Sequence, residues 1–200
     1  PEGLPAVVTI CLALSVQRMI KKNALVKRLR SIETLGSITT ICSDKTGTLT
    51  KNEMTVKRMY VNHLLYDVTG EGYSAQGSFL HNGERVDTTS FRRLLAIAAS
   101  CNNATAETGD PTERALLFAA LKGGVQKLPR KGEIPFDSDT KFMGTFHGND
   151  LAYYKGSVEV ILEQCQFIDL EGKTRRLLDK DRHKIEQTHH QMANDALRGL

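Results

Sequence analysis

The sequence predicts an α/β fold, and three observations carry that prediction. Residues 37–42, Ser-Ile-Thr-Thr-Ile-Cys, are a β-branched run that meets a turn at Gly47, the pattern of a strand and its exit. Beyond Val56 the period shortens to strand-like runs broken by Gly and Asn, such as 60–65 and 69–73, followed by a stretch of helical period at 90–101. Residues 134–143 then read as strand, turn and strand. The chain of 200 residues, with 40% hydrophobic content and a net charge of +4, suits one or two folded domains rather than a disordered segment. No repeat or low-complexity tract interrupts it. Cys11, Cys42, Cys101 and Cys165 are widely spaced without a C-x-x-C, which suggests neither a zinc site nor a disulfide framework and fits a reducing cytosol.

In chain order the first element is the apolar run 4–16, followed by basic residues from Arg18 to Arg30 that include Lys21, Lys22, Lys27 and Arg28. This concentration of charge is why the basic excess is not a nucleic-acid footprint. The run is shorter than the roughly 20 apolar residues that cross a bilayer, and it has no charged leader or small-residue cleavage site of a signal peptide. It reads as the second half of a broken membrane helix with its basic, cytoplasmic end after it. A buried helix of a soluble domain is the alternative that length leaves open. Pro1-Glu2-Gly3-Leu4-Pro5 favours the first, because two prolines and a glycine interrupt a helix and leave carbonyls free beside a carboxylate. Such a point at bilayer depth is a cation site by its chemistry, with Glu2 as the ligand; the other reading of Glu2 is an exposed terminal residue.

Residues 31–36 predict a short helix with Ser31 as N-cap, Glu33 in the first turn and Gly36 as the stop. The 37–42 strand is then expected to present Asp44 at the carboxyl edge of a parallel sheet, where open α/β sheets bind ligands. A carboxylate that attacks a phosphoryl group becomes an acyl phosphate. The following Lys45-Thr46-Gly47-Thr48 can turn N–H groups toward an anion, with Gly47 permitting close approach and Thr46 and Thr48 adding hydroxyls. Mg²⁺ would bridge Asp44 and the phosphate. A generic D-x-T-G would be an ordinary strand and turn; the full string Asp44-Lys45-Thr46-Gly47-Thr48-Leu49-Thr50 is far more specific.

That string, DKTGTLT, resembles the phosphorylation motif of the P-type ATPases, whose catalytic domain has a haloacid-dehalogenase-like fold. The resemblance implies Asp44 as phosphate acceptor, Lys45 and Thr46 as its catalytic neighbours, and Mg²⁺ held at Asp44 and Thr46. Plain phosphatases of that superfamily carry a second Asp two residues after the first. Thr46 stands there in this chain, so the implied phosphoenzyme persists until another part of a pump removes it. PEGLP is similar to the fourth-membrane-helix motif of calcium-type pumps, where the glutamate binds the ion, which implies Ca²⁺ as the transported cation and Glu2 as a ligand. Sodium–potassium pumps usually read PEGLL. The stretch ending in ETLG at 33–36 is similar to the family's link from membrane stalk to first strand.

Farther on, residues 90–101 predict an amphipathic core helix with Phe91, Leu94, Leu95, Ile97 and Ala98 on its apolar side. Gly109-Asp110-Pro111-Thr112-Glu113-Arg114-Ala115-Leu116 opens another, with Asp110 as N-cap, Pro111 in the first turn and Glu113 at the capping-box position. Capping alone would account for Glu113. The segment is also similar to the family's G-[DE]-x-T-E-x-A-L, whose second acid lies beside the adenine amino group, and the two roles are compatible. Residues 134–143 resemble the family's F-[SD]-S-x-x-K, which implies Phe136 stacking on adenine and Lys141 meeting the phosphates. Without the family, Phe136 would be read as core. Some calcium pumps carry an arginine where this chain has Ser138. Lys155-Gly156-Ser157-Val158-Glu159 is similar to KGAPE, which puts Lys155 and Gly156 in the nucleotide pocket. Residues 179–200 predict a polar helix with Leu178, Ile185, Met192, Ala196 and a packed His189 on one side; Ala196-Leu197-Arg198-Gly199-Leu200 resembles ALR-x-L, which implies a phosphate contact for Arg198.

Together the motifs imply half of a transmembrane helix at 1–22, the first part of a haloacid-dehalogenase-like phosphorylation domain at 23–55, and an inserted α+β nucleotide-binding domain with an antiparallel sheet at 56–200, incomplete at its carboxyl end. The expected parent is a multi-pass membrane pump that uses ATP, with residues after about 20 in the cytoplasm and its remaining domains in the same polypeptide. The segment 1–55 is expected to show little protection by itself. The rival readings are a pump for Na⁺, K⁺ or Mn²⁺, a nucleotide-binding module without catalysis, and a soluble phosphatase, which Thr46 and the apolar start oppose.

Overall fold

The computed structural model describes residues 2–200, so Pro1 of the PEGLP motif and the side chain of Arg30 lie outside the described set. The chain divides into two compact units, Pro1–Lys51 and Asn52–Leu200.

In the first unit, helix α1 (Leu4–Ile20) begins directly after Gly3 and carries Pro5 in its first turn, where a missing N–H costs nothing. Its 17 residues span about 25 Å, and no described helix is long and apolar enough to cross a membrane. It ends through paired bonds from Asn23 N–H to Ile20 O and Ala24 N–H to Met19 O, both 2.9 Å, with Asn23 left-handed at φ 59°. Helix α2 (Arg30–Leu35) starts two residues earlier than Ser31 would dictate as a cap. Leu29 is already helical and Ser31 N–H donates to Arg28 O, so Ser31 sits inside the helix instead of capping it.

The expected strand at 37–42 has no ladder partner among the described residues and forms no strand. β-branched residues favour extended backbone, but only a neighbouring strand turns extension into a ladder. Ile38 and Ile41 stand 54% and 81% exposed. The parallel sheet expected around Asp44 is likewise absent from the described residues, all of whose paired strands are antiparallel.

The second unit is an α/β domain with antiparallel sheets. Strands β1 (Arg58–Val61), β2 (Leu64–Val68), β3 (Phe79–His81) and β4 (Glu84–Arg85) form one meander. The expected strand 60–65 is in fact its first hairpin, because Asn62 and His63 both take positive φ (54° and 62°), the turn that matches strand twist. Residues 69–73 form a loop. Helix α3 (Arg92–Ser100) follows a single tight turn at Thr89–Phe91 and packs on helix α4 (Pro111–Lys122). It buries Phe91, Leu95 and Ala99, four residues apart, whereas Leu94 lies on the exposed side. Those three join Met59, Tyr66, Val68, Phe79, Ala120 and Val125 in one core.

A second sheet, β5 (Gly132–Ile134), β6 (Phe142–Phe146) and β7 (Ala152–Gly156), turns Met143 and Thr145 fully inward. Helix α5 (Val158–Gln164), the hairpin β8 (Phe167–Leu170) with β9 (Lys173–Arg176), and helix α6 (Asp179–Asn194) complete the unit. α6 stops six residues before the expected end at 200, since Ala196 turns left-handed (φ 57°) and Leu197 N–H closes back on Met192 O at 3.0 Å. His189 is half-buried, with Nδ1 3.6 Å from a Glu159 carboxylate oxygen.

Candidate functional site

The start of α4 shows how one carboxylate becomes available for chemistry. Asp110 accepts the N–H groups of Thr112 (2.8 Å) and Glu113 (3.4 Å), which satisfies the helix end. The capping-box role expected of Glu113 is not realised. Its side chain turns away from the cap: Oε2 accepts the Asn103 N–H at 3.1 Å and Oε1 accepts Lys155 Nζ at 2.6 Å. Lys155 reaches it from β7, opposite Met143 in the ladder and therefore on the inward side of the sheet. At 15% and 16% side-chain exposure, Lys155 and Glu113 form a partly desolvated pair that still opens to solvent.

Beneath this pair lies a support that sequence reading missed. Asn102, fully buried, donates through Nδ2 to Ala98 O (3.0 Å) and Glu113 O (2.7 Å) and accepts the Ala104 N–H at 2.8 Å. It splices the end of α3 to the turn carrying Glu113 while leaving no amide group unpaired. Lys127 Nζ donates to the carbonyls of Asn102 (3.0 Å) and Ala104 (2.5 Å), and Arg130 to Asn102 O at 2.7 Å. Burial lowers the affinity of Lys127 for its proton, and neighbouring Arg130 adds to this. Burial also pushes the Cys101 thiol up, so the buried Cys101 is an inert packing group. The available signal for Asn102 was a polar pair, Asn102-Asn103, directly after an apolar helix face.

Phe136 stands 60% exposed just after β5, so the core reading of its ring fails. Asp137 shapes the next turn by accepting the N–H groups of Asp139 (2.8 Å) and Thr140 (3.0 Å), and these backbone bonds lower its proton affinity. The turn ends at Lys141, held at φ 57° with its N–H on Asp137 O at 2.8 Å. Lys141 O in turn accepts the Ser157 N–H at 3.0 Å. A Cβ on Gly156 would lie 2.5 Å from Lys141 O and 2.8 Å from Phe142 Cβ, so packing of β7 on β6 by itself demands glycine there. Ser157 caps α5 through the Val160 N–H at 3.5 Å, a sound physical use for serine at that position. Arg198 is exposed beyond the end of α6, and among the described residues no ion pair or hydrogen bond joins it to Glu113 or Lys155. The structure thus brings together Glu113 with Lys155, and Lys141 with Gly156.

In the first unit, Asp44 is exposed, with extended backbone, and starts a wide turn, Lys45–Leu49. Its Oδ1 accepts the Thr46 N–H at 3.4 Å, and Thr50 N–H closes the turn on Lys45 O at 3.1 Å. Gly47 takes φ 74°, a conformation that side-chain-bearing residues adopt only at a cost. Glu2 lies in the turn before α1 and is exposed. Among the described residues no cluster of three or more His, Cys, Asp or Glu could enclose a metal. A lone exposed carboxylate is the kind of hard oxygen ligand that Mg²⁺ accepts while keeping most of its water.

Known proteins resemble this chain in sequence over its whole length. The family described as P-type ATPase, cytoplasmic domain N, matches residues 90–200. "Cation-transporting ATPase pma1" of Synechocystis sp. is 42% identical over all of this chain and 24% of its own length. "Calcium-transporting ATPase 1" of Bacillus cereus is 42% identical over all of this chain and 22% of its own. Human "Calcium-transporting ATPase type 2C member 1" is 39% identical, with full coverage here and 24% there. The chain therefore spans about a quarter of the length of these relatives. With more than half of its residues matched, among them the Glu113–Lys155 pair and its Asn102 support, the chain belongs to the P-type ATPase cytoplasmic N-domain family.

Proposed function

We propose that this chain is the ATP-binding and phosphate-accepting portion of an ATP-driven cation pump of the calcium-transporting branch. The single observation that carries the ATP reading is the Lys155–Glu113 pair at 2.6 Å, a carboxylate and an ammonium that are both partly desolvated. Glu113 has acceptor capacity for the exocyclic amine of adenine, while the exposed Phe136 ring offers a stacking face worth roughly 1–3 kcal/mol. Lys155, Lys141 and Arg198 supply positive charge for the triphosphate. The calcium assignment rests on the names of relatives and on Pro5 in the PEGLP motif.

Asp44 is the acceptor in this reading. One carboxylate oxygen attacks the γ-phosphorus, an acyl O–P bond forms, the bond to the β,γ-bridging oxygen breaks, and ADP leaves with that electron pair. Mg²⁺, when bound, neutralises the charge that builds on the phosphoryl oxygens. The turn starting at Lys45 holds the carboxylate through the Thr46 N–H, and the Thr46 hydroxyl, far weaker as an acid than a carboxylic acid, leaves the acyl phosphate standing. Residues 37–42 belong in a parallel sheet of a haloacid-dehalogenase-like domain, with strands from elsewhere in a longer polypeptide. Residues 1–22 are the cytoplasmic half of a membrane helix with Glu2 at the ion, and those after about 20 are cytoplasmic.

The intact pump labelled with ATP carrying radioactive γ-phosphate should give an acid-stable, hydroxylamine-labile phosphoenzyme that is lost in Asp44→Asn. Persistence of label would refute the assignment. A second reading, a nucleotide-binding module without catalysis, draws support from the separate core of residues 52–200. ATP titration of the chain that weakens in Phe136→Ala, in a parent that never forms the phosphoenzyme, would favour the module.

A further inference from the structure

The segment after α1 concentrates charge of one sign. Between residues 3 and 32 there is no Asp or Glu, yet Arg18, Lys21, Lys22, Lys27, Arg28 and Arg30 fall within 13 positions. Among the described residues Arg18, Lys21, Lys22, Lys27 and Arg28 make no ion pair. The helix macrodipole accounts for cations in the last turn of α1, namely Arg18 and Lys21. It does not reach Lys27 and Arg28, which lie beyond the left-handed stop at Asn23. Alongside the charge, Leu4, Val7, Ile10 and Leu14 of α1 are each more than half exposed, between 52% and 63%. A nucleic acid would satisfy the charge but leave these side chains in water. An anionic bilayer satisfies both.

We propose that residues 18–28 form a collar that binds the phosphate headgroups of anionic phospholipid where α1 meets the membrane surface. The inference rests on the membrane reading of α1 and adds a lipid class that this reading does not require. Each basic side chain near an anionic surface strengthens binding by about fivefold at moderate ionic strength, and the gain falls off within a Debye length. The collar therefore makes membrane engagement of this segment dependent on headgroup charge and on salt.

Sedimentation of the full 200-residue chain with vesicles tests it. Vesicles of phosphatidylcholine with about 30% phosphatidylserine should bind the chain more than about tenfold more tightly than pure phosphatidylcholine at 0.1 M salt, with the difference collapsing near 0.5 M. The variant Lys21→Gln/Lys22→Gln/Lys27→Gln/Arg28→Gln should lose that difference and keep its binding to neutral vesicles. The control Lys180→Gln/Lys184→Gln, on α6, should behave as the unaltered chain. All four collar positions are exposed and lie outside the core of residues 52–200, so their replacement leaves that core intact. Equal binding to neutral and anionic vesicles would overturn the collar and leave the membrane reading standing. Binding to neither overturns both. A preference for anionic vesicles that survives in the fourfold variant would also overturn the collar.

Discussion

Residues 52–200 bury a set of large apolar side chains in a core, whereas among the described residues of the first unit none is buried. Phe91, Leu95 and Met143 are at most 1% exposed, while Ile41, Leu25 and Leu49 are 81%, 78% and 71% exposed. Both regions contain apolar runs of the same chemical kind. The difference teaches that hydropathy states what a side chain must avoid, whereas partner elements decide whether it succeeds. Covering one Leu, Ile or Phe stabilises by about 1.5–3 kcal/mol, and the second unit collects this from two helices and two sheets. The first unit has α1 against α2 and little else.

The widest separation between the units should appear in hydrogen exchange. Amides of β2, α3 and β6 should exchange at least roughly 1,000-fold more slowly than those of residues 37–50, which lack ladder partners. Equal protection would break the comparison. Phe91→Ala should lower the stability of the second unit by about 3–5 kcal/mol in urea unfolding, whereas Ile41→Ala should change it by less than about 0.5 kcal/mol. Asn102→Ala comes next, at about 2–3 kcal/mol, because Glu113 O and the Ala104 N–H lose their buried partner. The same substitution should weaken ATP binding by loosening the Glu113 turn, an effect that calorimetric titration would register.

The smallest effect is confined to acid. Asp181, 3% exposed, receives two hydrogen bonds from the Arg175 guanidinium (2.6 and 2.9 Å) and one from the Leu178 N–H (3.0 Å), with His63 Nε2 at 3.4 Å. The Arg175 bonds first, then the Leu178 bond, hold its carboxyl well below the usual carboxylate range. A depressed folded-state value makes this contribution complete at every pH above about 4, and it drains as pH falls from there. In Asp181→Asn, proton uptake on acid unfolding should fall by about one, measured by potentiometry. An unchanged uptake would mean that the pair does not distinguish folded from unfolded chains.

Legibility in the sequence followed the range of the forces involved. The cap of α4 by Asp110 and the turn at Asp137 are local, and residue type is enough to write them. The hairpin at Asn62-His63 was hidden because histidine is an unusual second turn residue. Ser31 as a cap failed because the helical turn already begins at Leu29, and Leu94 as a core residue because α3 turns Leu95 and Ala99 inward instead. Glu113 and Lys155 were each named, but not their pairing with one another. No spacing rule connects position 113 with 155, since the contact closes across a ladder in which β6 sets β7 in place.

What the sequence by itself determined is the chemistry on offer: a carboxylate before a Gly47 turn, a capped helix carrying Glu113, an aromatic and a lysine around one bend, and an apolar stretch ending in cations. Short-range sterics and hydrogen bonding encode these within a few residues. Only the tertiary structure decided that Glu113 answers Lys155 instead of its own helix end, that Asn102 splices the two helices beneath them, and that Phe136 stays outside the core. Those outcomes depend on closing loops of tens of residues, where the free energy of burial and the geometry of the sheets select among pairings that the sequence leaves equally open.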